Sequence, residues 1–166
     1  MSVVVTIDEL AADEWARFRS IRLRSLAEAP LAFGTTLAEA EALPDETWPG
    51  RLAQAATFVA RLERVDDDVG VVRLAPDRRD SDVGWLISMW VAPEARGRGV
   101  GDALVRVVLE RARSLGHHRV RLDVADLNVD AVLLYARHGF RATGETGTHR
   151  PPREHVREHR REVRLA

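Results

Sequence analysis

The sequence predicts a mixed α/β fold (α+β), a sheet covered by helices, and three observations carry that expectation. The second half alternates β-branched runs with amphipathic runs of helical period, in the order strand, helix, strand, helix. The first half holds two apolar runs, Thr57 to Arg64 and Val69 to Leu74, joined by Asp66-Asp67-Asp68, and this pattern reads as a hairpin. The 166 residues sit near the common domain size and suffice for one sizeable core, so residues 1–166 are expected to form a single domain.

The elements follow in order. Val3 to Ile7 is a short β-branched strand. Thr6 and Glu9 have capping-box spacing ahead of a helix in which Trp15, Phe18 and Ile21 share a face, Leu23 and Leu26 extend it, and Pro30 ends it. A second helix is expected from Pro44-Asp45-Glu46 through Trp48 and Leu52, weakened by Pro49-Gly50. After the hairpin, Pro76 to Ser81 is a polar loop into the strand Val83 to Val91. The helix from Gly99 to Leu115 carries Leu104, Val105, Val108, Leu109 and Ala112 on one face and stops at Gly116. Val120, Leu122 and Val124 alternate as a strand, Val129 to Arg137 is helical, and Phe140 starts another strand. Glu162 to Ala166 is expected to be the last strand, after the polar run Thr148 to Glu154.

Composition removes several function classes. A formal net charge of -1 argues against a nucleic-acid partner, whose backbone calls for a strongly basic patch. Nothing resembles a basic amphipathic stripe, a signal peptide or a membrane span, so no membrane partner is expected and cytoplasmic residence is the default. With zero cysteines there are no disulfides, thiolate metal sites or cysteine nucleophiles, and no metal is expected. A homodimer is left open.

The segment Val91 to Gly101 is the most informative stretch. An apolar strand runs through a glycine-rich turn into a long helix, whose first N–H groups lack intrahelical partners and suit an anion. Gly97, Gly99 and Gly101 remove side chains from the approach, while Arg96 and Arg98 add positive charge suited to phosphate oxygens. A diphosphate ligand follows. A dinucleotide fingerprint fails because Asp102 stands where its third glycine would fall, so a nicotinamide-binding fold ranks last. A Walker A loop fails for want of lysine, since all 25 basic residues are arginine.

Arg96-Gly97-Arg98-Gly99-Val100-Gly101, preceded by the strand Trp85 to Val91, resembles the acetyl-coenzyme A loop of the GNAT superfamily of N-acetyltransferases. Downstream, Asn128, Ala131, Tyr135 and Gly139-Phe140 resemble a second pattern of the same family, and the two together run from Val83 to about Gly144. The resemblance implies a GNAT-like central mixed sheet, splayed and flanked by helices, with acetyl-coenzyme A as co-substrate. It implies that the coenzyme's pantetheine arm lies between parted parallel strands, bonded to the backbone of Met89, Trp90 and Val91 as an added strand would be. Arg96, Gly97, Arg98, Gly99, Val100, Gly101 and Asp102 would then surround the pyrophosphate, with Asn128 and Tyr135 beside the arm. The acceptor would be the primary amine of a small molecule or peptide.

Acyl transfer to an amine needs a neutral nucleophile and a proton for the leaving sulfur. Tyr135, the one tyrosine, has a phenol that stays protonated at neutral pH and can donate to a thiolate, which makes it the candidate acid; its periodicity alone reads as a core aromatic beside Phe140. Asn128 reads equally as a helix cap. Many family members carry a glutamate on the strand before the loop, whereas this chain has Trp85 there, leaving Asp82 and Asp123 as candidate bases or as plain strand-end carboxylates. Asp102 complements the helix dipole and is expected to face solvent.

The motif His155-Val156-Arg157-Glu158-His159 matches an inverted zinc-peptidase pattern, but its arginine-rich surroundings favour a charged, exposed segment. His117-His118 read as helix-end imidazoles. Leu31 to Gly34, Trp48 and Thr148 to Pro152 are candidate walls for an acceptor groove. Arg22 and Arg24 read as a solvated helix face, with an acidic substrate as the alternative. A non-catalytic acyl-coenzyme A binding module is the rival to the enzyme.

Overall fold

The structure, a computed structural model, describes residues 3–166. Among these residues seven strands form one sheet in the order β1-β2-β3-β4-β5-β7-β6: β1 Val5–Glu9, β2 Ala56–Leu62, β3 Gly70–Pro76, β4 Val83–Val91, β5 Arg119–Ala125, β6 Arg141–Thr148 and β7 Arg157–Arg164. The helices are α1 Trp15–Glu28, α2 Leu37–Glu41, α3 Trp48–Gln54, α4 Val100–Ser114 and α5 Val129–Arg137. Neighbouring strands are antiparallel except β4 and β5, which run parallel. No described helix is long and apolar enough to cross a membrane.

The expected helix over residues 99–115 forms because its apolar residues recur at 3.6-residue spacing. Val100, Leu104, Val105, Val108, Leu109 and Ala112 are all buried against the sheet. Each such large side chain contributes about 1.5–3 kcal/mol of hydrophobic stabilisation. Gly70 in β3 admits the helix, since a Cβ there would stand 2.9 Å from both Leu104 and Val100. Gly116, at φ +82, ends the helix as expected.

Several boundaries differ from expectation for identifiable reasons. The first strand is Val5–Glu9 because Val5 to Glu9 pair with Leu62 to Phe58, so Thr6 and Glu9 are strand residues and form no cap. The same Thr-x-x-Glu spacing does cap a helix at Thr36 and Glu39, where Glu39 N–H donates to Thr36 Oγ1 (3.1 Å) and Thr36 N–H to Glu39 Oε2 (2.9 Å). That cap starts α2, a five-residue helix absent from the sequence reading. Pro49-Gly50 does not weaken α3, because it falls in the first turn, where the missing proline N–H has no helical partner to lose.

The last strand, expected at Glu162 to Ala166, is Arg157–Arg164 and lies between β5 and β6. A strand this charged is held by ion pairs along its length. Arg121 Nε donates to Glu162 (2.6 Å), and Arg160 donates to Asp123 (3.0 Å) and Glu145 (2.6 Å). The segment 155–159 is therefore neither a helix nor simply exposed: Val156 is fully buried and Glu158 is half-buried.

Candidate active site

Two features of β4 open the sheet. Its parallel pairing with β5 is confined to Val83, Gly84 and Trp85, opposite Arg119, Val120 and Arg121, and beyond Trp85 the strands part. The edge of β4 from Leu86 onward thus lacks a strand partner on that side, and its peptide groups face a gap. A bulge sits at the same place: between the pairs Val71 with Trp90 and Arg73 with Ile87, β4 has one residue more than β3. Ser88 takes φ +59 there, a left-handed conformation that costs an L-residue about 1–2 kcal/mol and re-aims the peptide groups before Met89.

The parted strands open a cleft of about 990 Å³. Met89, Trp90 and Val91 form one side, the turn residues Arg96, Gly97, Gly99, Val100, Gly101 and Asp102 its head, and Ala125, Asn128, Ala131 and Tyr135 the far wall. Every sequence-predicted coenzyme residue lines it except Arg98. Gly97 (φ +74) and Gly99 (φ +84) adopt left-handed backbone, and a Cβ on either would meet nothing within 4 Å. Their glycine character serves the turn and an open approach, with no packing role. Gly101 differs, because a Cβ there would stand 3.0 Å from Leu134 and its job is to let α4 approach α5.

Charge around the turn is arranged by side chains the sequence did not pair. Arg96 donates from Nε to Val91 O (3.0 Å) and from Nη2 to Glu28 (3.0 Å), so it braces the strand end beside the turn. Asp102 is half-buried and ion-paired, contrary to the expected solvent-facing position. His138 Nε2 lies 2.8 Å from it and Arg137 Nη2 3.3 Å. Burial opposes its ionisation, but His138 and Arg137 outweigh burial and hold its carboxyl below the usual range. Its charge is thereby neutralised beside the helix N-terminus and ties α4 to the end of α5.

Asn128 caps α5, its Oδ1 accepting from Ala131 N–H (3.3 Å), which is the cap the sequence predicts. Tyr135, on the same helix, is 5% exposed and packs edge-on to Phe140 with ring centroids 5.8 Å apart. Burial pushes its phenol well above the ordinary value, so it stays protonated. Among the described residues its hydroxyl has no hydrogen-bond partner.

A second cleft, of about 470 Å³, shares Ala32, Phe33, Met89, Ala125, Asn128 and Tyr135 with the first. The two clefts meet where the strands part. Asp123 lines the second cleft with its carboxylate engaged by Arg160. Asp82 lines neither cleft: it precedes β4 at the end remote from the turn and pairs with His118 at 3.0 Å. The structure therefore does not bring Asp82 to the site. Trp85 donates its indole N–H to Asp77 (2.7 Å) and carries Arg160 over its ring.

Glu158, unassigned to the site by sequence, does line the second cleft. Burial, then Asp123, raises its carboxyl above the ordinary value. His149 Nε2 lies 3.1 Å from its Oε1, though off the direction a hydrogen bond needs, and burial lowers the proton affinity of that imidazole. Arg22, Arg51 and Arg73 line the same cleft. Arg22 is thus not on a solvated face, whereas Arg24 is exposed and pairs with Glu94. Of the expected acceptor walls, Ala32 to Gly34, Trp48 and Arg150 are in place.

Comparison with known proteins adds three findings. The model of the acetyltransferase (GNAT) family matches residues 13–140. N-acetyltransferase 8B of Homo sapiens is 41% identical over 64 residues, covering 39% of this chain and 28% of that protein. The chain spans about a quarter of the length of the first curated relatives it matches. Among solved structures, an acetyltransferase of the GNAT family from Streptococcus pneumoniae superposes with a TM-score of 0.79 at 20% identity, over 98% of this chain and 100% of that one. A putative acetyltransferase from Salmonella typhimurium, solved with acetyl-CoA, superposes at 0.75 with 16% identity, over 98% and 94%. At these identities the two structures establish the shared fold.

Proposed function

The chain belongs to the acetyltransferase (GNAT) family, and from that premise we propose that it transfers the acetyl group of acetyl-coenzyme A to a primary amine, within one domain over residues 1–166. The observation that carries the reading is the junction of the two clefts at Tyr135, with free backbone groups on one side and ionisable side chains on the other. Residues in the first cleft fit the coenzyme: the side-chain-free approach over Gly97 and Gly99 suits a pyrophosphate, and the unpaired edge of β4 suits the amides of an extended arm. Acetyl-coenzyme A supplies the acetyl group as an activated thioester.

The first-turn amides of α4 hold the phosphates, and the peptide groups of Met89 to Val91 align the arm along β4. Asn128 fixes the start of α5, which sets Tyr135 at the junction. The amine nitrogen attacks the carbonyl carbon, a C–N bond forms, and the C–S bond breaks. Tyr135 donates its proton to the departing sulfur, giving the thiol, and the proton shed by the amine afterwards restores the phenol. The attacking amine sheds its own proton toward the carboxylates of the second cleft, of which Glu158 has its proton affinity raised above the ordinary value by burial and then by Asp123. Asp123, already engaged by Arg160, serves better as a fixed charge.

Thiol release from acetyl-coenzyme A, followed with a panel of primary amines, tests the reading. Amine-dependent release at a rate saturating in both substrates is expected. Tight coenzyme binding with no release for any amine supports instead a non-catalytic acyl-coenzyme A module, to which the absence of a β4 glutamate points.

A further inference from the structure

The second cleft has a cationic wall that lacks a counter-ion. Arg22, Arg51 and Arg73 come from α1, α3 and β3, and each lies over an aromatic ring: Arg22 over Phe33 (4.8 Å), Arg73 over Phe18 (4.7 Å) and Arg51 over Trp48 (5.8 Å). Phe18 and Trp48 themselves pack edge-on at 5.6 Å, so one apolar scaffold fixes the guanidiniums. Arg73 is 8% exposed, donates from Nε to Thr57 Oγ1 (2.9 Å) and from Nη2 to Arg51 O, and so anchors the chain at Arg51. Arg22 Nη1 is buried without an acceptor, as is Trp48 Nε1.

Among the described residues no carboxylate pairs with any of the three arginines. Of the acids of this cleft, Asp123 is engaged by Arg160, and Glu158 lies beside His149. Burial, and then Arg73 and Arg51, push Arg22 down to about 10, and burial, then Arg51, pushes Arg73 down to about 10. Both remain cations at neutral pH. An unpaired positive cluster in which Arg73 is buried and Arg22 and Arg51 are half-buried carries a desolvation cost that an arriving anion relieves. Within a protein this small, three such arginines on three elements are a built feature and not a solvated surface.

We propose that Arg22, Arg51 and Arg73 bind a carboxylate of the acceptor, making the substrate a molecule that carries both a primary amine and a carboxylate, of the class of amino acids and their small conjugates. The inference rests on the acetyl-transfer reading and names the substrate class of that same site. Planar guanidiniums suit a carboxylate by paired N–H donation. A cleft of about 470 Å³ accommodates an amino acid or a small conjugate. With the anion fixed at the arginines, the amine is directed toward Tyr135 and Glu158, which line the same space.

The test compares matched pairs, each α-amino acid against its carboxamide, with aminoalkylphosphonates of equal length as a third arm. Thiol release gives kcat/KM for each, and coenzyme affinity is measured by calorimetry on the same protein. The acid is expected to exceed its amide on the order of 10- to 100-fold. In Arg22→Gln and Arg51→Gln that ratio falls toward one through lost activity on the acid, while affinity for the coenzyme is retained. Equal use of acid and amide overturns the proposal, as does a ratio that survives both substitutions. Preference for the phosphonate overturns the carboxylate assignment. Coenzyme binding without turnover of any acid overturns the substrate class, whereas absent coenzyme binding overturns the acetyl-transfer reading itself.

Discussion

Replacing Gly99 by alanine separates the two jobs assigned to the glycine turn. Gly99 is the N-cap of α4 with φ +84 and ψ 4, and an added Cβ meets no protein atom within 4 Å. The cost to folding is therefore conformational only: about 1–2 kcal/mol for the left-handed backbone, offset by about 0.4–1 kcal/mol from a less free unfolded chain. The balance, about 1 kcal/mol, lowers Tm by roughly 2–4 °C for a chain of this size. On the proposed reading, however, the open space is where phosphate oxygens of the coenzyme approach the helix N-terminus. Losing one charge-assisted bond there costs about 1.5–3 kcal/mol, or roughly 10- to 150-fold in Kd. Calorimetric titration with acetyl-coenzyme A and a thermal melt measure both effects on one sample. Gly50→Ala is the control: Gly50 lies in α3, its Cβ also meets nothing, and its φ is not left-handed, so the variant should gain about 0.5–1 kcal/mol and bind normally. A folded Gly99→Ala protein whose Kd stays within threefold of the parent would refute the assignment of the turn to the phosphates.

Three further outcomes are expected. Tyr135→Phe keeps the ring and its contact with Phe140 but removes the proton donor, so kcat should fall by about 10²- to 10⁴-fold with coenzyme affinity unchanged; undiminished kcat removes the acid role. Asp77 is held down to about 2 from 3.8 by Trp85, then by the N–H groups of Arg79 and Asp80, so its stabilisation is present above the ordinary value and lost as pH falls toward 2. Asp77→Asn should then have a lower urea midpoint than the parent at neutral pH and an equal one near pH 2, and a constant gap contradicts this. Glu158 has the opposite sign: with its folded value raised above 4.5, the parent loses stability as pH rises through that value. Glu158→Gln should be the more stable protein at neutral pH, with the two curves meeting below pH 4.5, and a less stable variant at neutral pH would show that burial does not govern this carboxyl.

The fold was legible where local pattern and tertiary pairing agree. The helix over 99–115 and the hairpin of β2 and β3 are written in periodicity, and packing only reinforced them. At Thr6 and Glu9 the capping spacing competed with pairing to β2 and lost, while the identical spacing at Thr36 and Glu39, with no strand to join, made a cap. The edge of local signal is clearest in β7. Arg157 to Arg164 has almost no strand propensity of its own, and its place between β5 and β6 follows from carboxylates at Asp123, Glu145 and Glu162 that are distant in sequence or alternate along it.

The same division explains which half of the site could be read. A phosphate grip is built from one contiguous turn and the helix it opens, so its residues announce themselves by spacing, and all but Arg98 line the first cleft. The bulge at Ser88 left no such mark, because a serine at φ +59 is chosen by the register between β3 and β4 and not by its own preference. The cleft proposed for the acceptor is assembled from eight elements, and the three arginines of its proposed anion site sit singly in α1, α3 and β3, where each looks like an ordinary surface arginine. Only after folding do Phe18, Phe33 and Trp48 hold those charges in one cleft, which Glu158 also lines. On the proposed reading, specificity for the acceptor resides in long-range contacts that can change one residue at a time while the coenzyme turn stays intact. This separation lets one scaffold keep its acyl donor and exchange its amine.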